Sequence, residues 1–306
     1  MTRLRIATRG STLARWQADH VVALLHKAGP PVEAEIVVVE TSGDRRLDVP
    51  IWELGGKGVF VKEVQAAVLD GRADVAVHSA KDLPSSTPDG LVIAAVPERG
   101  DVRDALVGAT LAGLPQGAVV ATGSLRRQAQ LAHVRPDLRF EGLRGNMATR
   151  VARAGTGGVG AVVVAAAALD RLGWVDRIAE RLPVDVVLPQ VGQAALAIEC
   201  RADDDAVRTA LSAVEDEPAR RAVDAERGFL AELGGDCSLP AAAYAVVHDA
   251  DPDARVTVRG LLASVDGTTV VRHEVTGAAA DGEALGRRLA RHLLDDQGGA
   301  ALLGRG

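Results

Sequence analysis

The sequence predicts an α/β protein of three domains. Short β-branched apolar runs alternate with segments of helical periodicity over residues 4–78 and again over residues 119–172, which is typical of sheets built from βαβ units. After Gly234-Gly235 the pattern changes to two adjacent strand-like runs and a late helix, which indicates a small α+β domain. The length of 306 residues agrees with this number of domains, because chains longer than about 250–300 residues usually split into several cores.

The first unit contains three predicted strands and two predicted helices. The strands cover residues 4–7, 34–41 and 74–78, and the helices cover residues 11–28 and 59–70. Gly29-Pro30-Pro31 ends the first helix, and the glycine-rich residues 42–58 predict a mobile loop. The alternating order predicts a parallel sheet with right-handed crossovers.

The second unit repeats this order, and a tail follows it. Strands are predicted over residues 119–122, 138–141 and 161–164, with helices that begin at Ser124, Asn146 and Ala165. The apolar run from Ala194 to Cys200 predicts one more buried strand. The remaining predicted elements are helices over residues 204–214, 218–233 and 282–294, strands over residues 241–247 and 255–262, and a polar strand near His273.

Composition excludes several classes of function. Hydrophobic residues make up 47% of the chain and aromatic residues only 2%, so Ala, Val and Leu fill the interior. No run approaches the ~18 apolar residues that span a bilayer, the N-terminus shows no cleavable apolar segment, and the net charge of −6 does not favour nucleic-acid binding. Cys200 and Cys237 lack metal-type spacing. We therefore expect a cytoplasmic protein without a membrane, nucleic-acid or metal partner.

A first candidate site lies at the end of the predicted strand 74–78. The apolar run is followed by four polar side chains: His78, Ser79, Lys81 and Asp82. Pro84 prevents the strand from continuing in a sheet interior, and ligands bind at such strand ends in open α/β sheets. The alternative is a solvated turn in which Asp82 only caps the next segment. This segment alone does not decide between the two.

Arginine and hydroxyl side chains recur where predicted strands pass into helices. The motifs are Ala7-Thr-Arg-Gly-Ser-Thr12, Thr122-Gly-Ser-Leu-Arg-Arg127 and Leu143-Arg-Gly-Asn-Met-Ala-Thr-Arg150. The residues that they supply are Arg9, Ser11, Thr122, Ser124, Arg126, Arg127, Arg144 and Arg150. Helix N-termini favour anions, and the guanidinium fork suits carboxylate or phosphate. Each motif alone also fits an ordinary N-cap with a solvated arginine, but three of them together indicate a ligand with several anionic groups.

The two cysteines are predicted to differ. Cys200 ends the apolar run Leu196-Ala-Ile-Glu-Cys200 and is expected in the core. Cys237 lies in Leu233-Gly-Gly-Asp-Cys-Ser-Leu-Pro240, which predicts an accessible loop. That thiol is either incidental or used chemically, because an accessible cysteine is otherwise a liability.

Taken together, these segments resemble the porphobilinogen deaminase (hydroxymethylbilane synthase) family. Besides the motifs above, the resemblance is carried by Gly55-Gly-Lys-Gly-Val-Phe-Val-Lys-Glu63, His78-Ser-Ala-Lys-Asp-Leu-Pro84, Leu188-Pro-Gln-Val-Gly-Gln193 and the Cys237 loop, in the same order along nearly the whole chain. It implies two lobes like those of periplasmic binding proteins and a small C-terminal α+β domain. The implied boundaries are residues 1–95 with 195–213, residues 100–190, and residues 217–306 with the cysteine.

The resemblance also implies an activity and a cofactor. Such an enzyme joins four porphobilinogen molecules into the linear tetrapyrrole hydroxymethylbilane, with release of ammonia, in haem biosynthesis. The product grows on a dipyrromethane cofactor, which would be attached to Cys237 by a thioether. Asp82 matches the catalytic carboxylate, which would stabilise positive charge at the pyrrole nitrogens. A monomer whose ligands are porphobilinogen and the growing polypyrrole is expected.

The remaining site residues follow from the same resemblance, because every pyrrole of the product carries an acetate and a propionate. Cofactor binding is implied for Lys81, Arg126, Arg127, Ser124, Thr122 and Ser79. Substrate binding is implied for Arg9, Ser11, Arg144, Arg150, Arg171, Lys57 and Phe60. Lys57 and Phe60 end the glycine-rich segment, which resembles a lid that excludes water.

The sequence departs from the family pattern at four positions, and two other classes of protein share the predicted fold. Glu53 stands where many relatives have lysine, Gly123 replaces a frequent serine, and Ala194 and Asp236 each replace a frequent glycine. A two-lobed carboxylate-binding protein would be exported, which the N-terminus does not predict, and would leave Cys237 without a role. The effector lobe of a transcription regulator would follow a basic helix-turn-helix, which is not found before the first strand.

Overall fold

The computed structural model describes residues 2–28, 32–41, 61–234, 239–248 and 254–303. The chain divides into two compact units, residues 1–100 with 194–220 (unit 1) and residues 101–193 with 221–306 (unit 2). Among the described residues, no helix is both long and apolar enough to cross a membrane.

Unit 1 contains one five-stranded sheet in the order β2-β1-β3-β10-β4. Its strands are β1 (Thr2–Arg9), β2 (Val32–Val39), β3 (Val75–Ser79), β4 (Leu91–Ala95) and β10 (Leu196–Arg201). Its helices are α1 (Thr12–Ala28), α2 (Lys62–Leu69) and α6 (Asp205–Ser212). Apolar side chains cover both faces of the sheet, one with α1 and α6 and the other with α2.

The sheet of unit 2 has the order β7-β6-β8-β5-β9. Its strands are β5 (Asp104–Val107), β6 (Val119–Ala121), β7 (Arg139–Glu141), β8 (Val159–Ala165) and β9 (Ile178–Leu182). Its helices are α3 (Leu125–Val134), α4 (Met147–Ala152) and α5 (Ala166–Arg171). The strand order of this sheet matches that of unit 1, and β5 occupies the position that β10 has in unit 1.

The C-terminal part of the chain forms a three-stranded antiparallel sheet packed on helices. The strands are β11 (Ala241–Val247), β12 (Arg255–Ala263) and β13 (Val270–Ala278). The helices are α7 (Glu217–Glu232), α8 (Gly282–Arg291), a π-helical turn (His292–Asp296) and α9 (Gly299–Leu302). The predicted fold class is therefore confirmed: two α/β sheets and a small α+β domain.

The predicted parallel sheet is confirmed for the three predicted strands of unit 1, but each complete sheet also contains antiparallel strands. Strands β1, β2 and β3 are parallel, but β10 runs antiparallel to both β3 and β4. In unit 2, β5 runs antiparallel to β8 and β9 in the same way. Strands β4, β5 and β9 were not predicted. The antiparallel strands have a physical reason: β5 and β10 each enter a sheet after the chain has left the other unit, so no local crossover fixes their direction.

One backbone position bears on a departure noted in the sequence. Ala194, where relatives frequently have glycine, has φ = 68°, and among the described residues it is the one non-glycine residue with positive φ. The left-handed region costs a residue with a Cβ roughly 1–2 kcal/mol. The position therefore favours glycine, and the alanine carries a small strain where the chain re-enters unit 1.

Candidate active site

A small cavity opens at the carboxyl end of β1 and β3 in unit 1. Its lining residues are Arg9, Ala14, Gln17, Val61, Val77, His78, Ser79 and Asp82. Arg9 is the last residue of β1, Ser79 is the last residue of β3, and Asp82 lies in the 3₁₀ turn Ala80–Asp82 that follows. Two neighbouring parallel strands thus deliver their polar termini to one place, where ligands of open α/β sheets bind.

The side of the cavity formed by α1 is held by hydrogen bonds to side-chain hydroxyls. Gln17 Nε2 donates to Ser79 Oγ at 3.0 Å. The backbone N–H of Ala14 donates to Ser11 Oγ at 3.3 Å, so Ser11 caps the first turn of α1. The ordinary interpretation of Ser11 as an N-cap therefore holds, while Arg9, Ser79 and Asp82 share the cavity.

A buried carboxylate lies behind the other side of the cavity. Glu199 is 0% exposed, and Gln65 Nε2 donates to its Oε1 and Oε2 at 3.1 and 2.9 Å. His78 is 5% exposed, and its Nε2 lies 3.1 Å from Glu199 Oε2. These two atoms are at ion-pair distance but do not satisfy hydrogen-bond geometry. A titratable pair therefore sits in the wall of the cavity that contains Asp82.

Unit 2 contains a buried cluster of one carboxylate and two guanidinium groups. Asp104, the first residue of β5, is 0% exposed. Arg126 Nη2 donates to Asp104 Oδ2 at 2.7 Å, and Arg127 Nε and Nη2 donate to Oδ1 at 3.0 and 2.7 Å. Gln193 Nε2 adds a hydrogen bond to Oδ1 at 2.9 Å. We call these four residues the Asp104 cluster.

The Asp104 cluster retains positive charge in a buried place. Burial alone would raise the pKa of Asp104, but the charges and N–H groups of Arg126 and Arg127 outweigh it and hold this pKa well below the ordinary value. One carboxylate then faces two cations. Arg126 Nε is buried without a hydrogen-bond partner among the described residues, so this cation keeps a donor that an anionic ligand can use.

The Leu188–Gln193 segment connects the Asp104 cluster with the C-terminal domain inside unit 2. Arg126 Nη1 donates to the carbonyl of Leu188 at 2.6 Å. Glu226 on α7 is 0% exposed and accepts the backbone N–H of Gly192 at 2.7 Å and that of Ala245 at 2.9 Å. The buried Glu226 carboxylate thus holds β11 and the segment together, and Gln193 follows directly.

Three arginines of unit 2 are predicted to bind substrate: Arg144, Arg150 and Arg171. Arg144 and Arg150 are partly buried, and Arg150 Nε donates to the carbonyl of Gly145 at 2.8 Å. Asn146 caps α4 by accepting the N–H of Thr149 at 2.9 Å. Burial lowers the pKa of Arg171 to about 10, although Asp170 opposes the shift.

The motif 122–127 begins α3. Ser124 Oγ accepts the N–H of Arg127 at 3.4 Å, and Thr122 Oγ1 accepts the N–H of Ser124 at 3.3 Å. A Cβ atom at Gly123 would lie 2.7 Å from the carbonyl oxygen of Leu143. Glycine at this departure from the family pattern therefore fits the close approach of the two backbones.

Five positions singled out in the sequence lie in segments that the structure does not describe. Lys57, Phe60 and Cys237, with the departures Glu53 and Asp236, lie outside the described residues. Lys81 is described and partly buried beside Asp82. Cys200 is 0% exposed, as predicted, and burial raises the pKa of its thiol to about 11.

Four of the residues that complete these two sites had no predicted role: Gln65, Asp104, Gln193 and Glu199. His78 was noted as a polar residue at the strand end but was given no role either. The signal for Glu199 is an acid inside the apolar run Leu196-Ala-Ile-Glu-Cys200, because buried acids are rare unless they are paired. Asp104 gives a weaker signal, since it begins a strand of only four residues. Among the described residues, no group of three or more His, Cys, Asp or Glu side chains could hold a metal ion.

Comparison with known proteins gives a consistent result. The family model "Porphobilinogen deaminase, dipyromethane cofactor binding domain" matches residues 4–209, and "Porphobilinogen deaminase, C-terminal domain" matches residues 221–295. The porphobilinogen deaminase of Geobacter sulfurreducens is 47% identical over 300 residues, which cover 97% of this chain and 93% of the relative. That of Syntrophus aciditrophicus is 45% identical over 303 residues, which cover 98% and 97%.

Among solved structures, a probable amino-acid ABC transporter extracellular-binding protein from Bacillus subtilis is similar with a TM-score of 0.42. The match has 8% identity and covers 69% of this chain and 89% of that chain.

Proposed function

Because the chain belongs to the porphobilinogen deaminase family, we propose that Asp82 in unit 1 is its catalytic carboxylate and that the Asp104 cluster in unit 2 holds its cofactor. The activity of the family is the joining of four porphobilinogen molecules into hydroxymethylbilane with release of ammonia. The product grows on a dipyrromethane cofactor bound to a cysteine.

The proposed role of Asp82 follows from where it lies. Positive charge develops at the pyrrole nitrogens when ammonia leaves, and a carboxylate held in a cavity stabilises that charge better than one in water does. Asp82 shares its cavity with Arg9, which has the charge needed to bind an acetate or propionate of the same ring. The observation that carries the proposal is that one cavity is lined both by this carboxylate, in the turn after β3, and by this guanidinium group, at the end of β1.

The Asp104 cluster fits a cofactor that carries several carboxylates. Two buried guanidinium groups share one carboxylate, and Arg126 Nε is left for a further acceptor. The proposed cofactor-binding residues are Lys81, Ser79, Thr122, Ser124, Arg126 and Arg127. The hydroxyls of Thr122 and Ser124 accept backbone N–H groups and remain able to donate to a carboxylate. The cofactor itself supplies the free α-carbon to which the first substrate is joined.

Cys237 is the proposed attachment point. The sequence contains two cysteines, and Cys200 is buried in the core of unit 1 with a thiol pKa raised to about 11. A thiol must be accessible and partly ionised to react, so Cys200 is unsuited to capture a ligand. Cys237 follows α7, whose buried Glu226 is tied to the Leu188–Gln193 segment beside the Asp104 cluster.

The proposal also covers the remaining predicted residues and the setting of the enzyme. Proposed substrate-binding residues are Arg9, Ser11, Arg144, Arg150, Arg171, Lys57 and Phe60. We place the enzyme in the cytoplasm as a monomer without nucleic-acid or membrane partners, in keeping with its content of only two cysteines and its net charge of −6. Sedimentation of the purified protein checks the monomer, and a mass above that of one chain would overturn it.

The first test is Asp82→Asn. This change keeps the shape of the side chain and removes its charge, so turnover of porphobilinogen should fall by about 100-fold or more while the protein still folds. Asp74→Asn is a matched control, since Asp74 directly precedes the same strand and pairs with Arg5. A variant at Asp82 that turns over as fast as this control would contradict the role.

The second test concerns the cysteine. Purified protein should exceed its sequence mass by one dipyrromethane, and the added mass should map to the peptide that contains Cys237. Cys237→Ala should remove both the added mass and the activity, whereas Cys200→Ala should keep both. An adduct on Cys200, or full activity without any adduct, rules out the assignment.

A further inference from the structure

We propose that His78, backed by Glu199, is the base that accepts the proton released as each new carbon–carbon bond forms. The inference rests on the proposed function, because it takes the Asp82 cavity to be the place of condensation. It assigns a second acid–base group to that cavity. It also assigns a role to the Glu199 carboxylate, which is 0% exposed.

The sheet of unit 1 brings His78 and Glu199 together on one face. Ala76 and Glu199 are paired across β3 and β10, and so are His78 and Ala197. Side chains two residues apart on a strand share a face, so His78 and Glu199 are diagonal neighbours on the side covered by α2. Because His78 is one residue before the end of β3, it also lines the cavity.

The contacts of Glu199 are those of an ionised acceptor. Gln65 Nε2 donates to both of its oxygens, and a deprotonated carboxyl accepts on both. A buried carboxylate costs free energy unless hydrogen bonds or a cation compensate it. His78 Nε2, 3.1 Å away, is placed to provide that cation whenever the imidazole is protonated. Such hydrogen bonds often have poor geometry before substrate binds.

This arrangement is the one by which a buried carboxylate supports a histidine base. The carboxylate orients the ring and stabilises the imidazolium that forms, without taking the proton itself. Asp82 is less suited to the task, since it is proposed to face the pyrrole N–H groups.

The proton balance of the reaction requires such a base. The C–N bond of the protonated aminomethyl group breaks, and the nitrogen leaves as ammonia with the electron pair. The methylene carbon then bonds to the free α-carbon of the terminal pyrrole, which still carries its hydrogen. That C–H bond breaks, its electron pair restores the aromatic ring, and the proton goes to Nδ1 of His78, because Nε2 faces Glu199. The imidazolium returns the proton to ammonia or water before the next cycle.

The charged and titratable groups around His78 come from every neighbouring element. Strand β10 supplies Glu199, the end of β1 supplies Arg9, and the turn after β3 supplies Asp82. Helix α2 supplies the amide of Gln65 and has Glu63 in its first turn, and α1 supplies the amide of Gln17. The pH dependence of the reaction therefore depends on His78 together with these groups, and the test must separate their effects.

The experiment compares His78→Gln holoenzyme with wild type, using porphobilinogen with hydrogen or deuterium at the free α-carbon. Loss of a general base should lower kcat about 100-fold and remove one limb of the pH profile of kcat. Proton removal should become rate-limiting, so a primary deuterium isotope effect on kcat should appear. Asp74→Asn is the control, because its ion pair with Arg5 lies at the other end of β3.

A second variant keeps the inference testable if His78→Gln does not fold. Glu199→Gln retains the imidazole but removes the charge that stabilises imidazolium, so the same limb should move to lower pH and kcat should fall. An unchanged pH profile in either variant, or an isotope effect of the same size in Asp74→Asn, overturns the inference.

The outcomes also separate this inference from the proposed function. If Asp82→Asn is fully active, the Asp82 cavity is not the place of condensation and both ideas fail. If Asp82→Asn is slow while His78→Gln shows neither an isotope effect nor a lost limb, the proposed function stands and the His78 base is excluded.

Discussion

Each of the two α/β sheets buries one carboxylate, and the two carboxylates lie on strands at equivalent positions in the strand order. The partners of the two carboxylates differ. In unit 1 the strand is β10, and Glu199 contacts a histidine and a glutamine. In unit 2 the strand is β5, and Asp104 binds two arginines and a glutamine. In both sheets this strand runs antiparallel to both neighbours.

The difference separates two uses of a buried acid. A guanidinium group stays protonated at physiological pH, and although burial lowers the pKa of Arg126, the nearby Asp104 carboxylate opposes that shift. The histidine of unit 1 gains and loses its charge with a proton. We therefore propose that one carboxylate holds a buried positive cluster for anion binding, and that the other supports a group whose protonation changes during the reaction.

The largest effect should come from Asp104→Asn. This change leaves two buried guanidinium groups without their anion, and breaking such a cluster costs about 3–5 kcal/mol. Urea unfolding at neutral pH measures the cost. Asp101→Asn is the matched control, because Asp101 pairs with Arg103 and Arg181 in a partly exposed place, and exposed pairs contribute about 1 kcal/mol or less.

The pH dependence of Asp104→Asn follows from the direction of the pKa shift. The arginines hold the pKa of Asp104 below its ordinary value despite burial, so the carboxylate stabilises the fold fully above the ordinary range near pH 4. That contribution is lost as pH falls through the lower native pKa. The difference in unfolding free energy between wild type and variant should therefore stay constant from about pH 5 to pH 8. A difference that grows or shrinks in this range would contradict a fixed ion cluster.

Glu199→Gln should have a smaller effect on stability. The new amide keeps one acceptor oxygen, and the neighbouring imidazole can shed its proton instead of remaining as an unpaired buried charge. The expected cost is that of a disturbed buried hydrogen bond, about 1–3 kcal/mol. The same urea titration measures it. A cost as large as that of Asp104→Asn would mean that both units bury fixed charges, and the comparison would fail.

The sequence predicted the polar residues at strand ends better than it predicted the pairing of strands that are distant in the chain. Polar residues after apolar runs located Asp82 and the arginine motifs, because period-2 burial and helix capping act over a few residues. The direction of β10 and the existence of β4, β5 and β9 depend on pairing with distant strands. Asp104 was missed for this reason, since an acid that begins a four-residue strand looks like part of a turn until its partners on α3 are known.

The ordinary interpretation of the helix starts is confirmed for the N-caps but not for the solvated arginines. Ser11, Ser124 and Asn146 are N-caps, as the ordinary interpretation holds. In the same motifs, however, Arg126 and Arg127 are buried against Asp104 and are not part of a solvated helix face. Sequence patterns identify the cap because its partners are three residues away. They do not reveal burial that depends on Asp104, which lies 22 residues before Arg126.

The smallest effect is expected on the opposite face of β10 from Glu199. Cys200 packs in the apolar core there, so Cys200→Ala should cost only about 1 kcal/mol at neutral pH. Burial raises the pKa of this thiol from 9.0 to about 11, so the thiol's contribution to stability is full below pH 9.0 and is lost as pH rises through about 11. Urea unfolding should therefore show the gap between wild type and Cys200→Ala shrinking above pH 9.0. A gap that is independent of pH would mean that the Cys200 thiol ionises equally in the folded and unfolded chain.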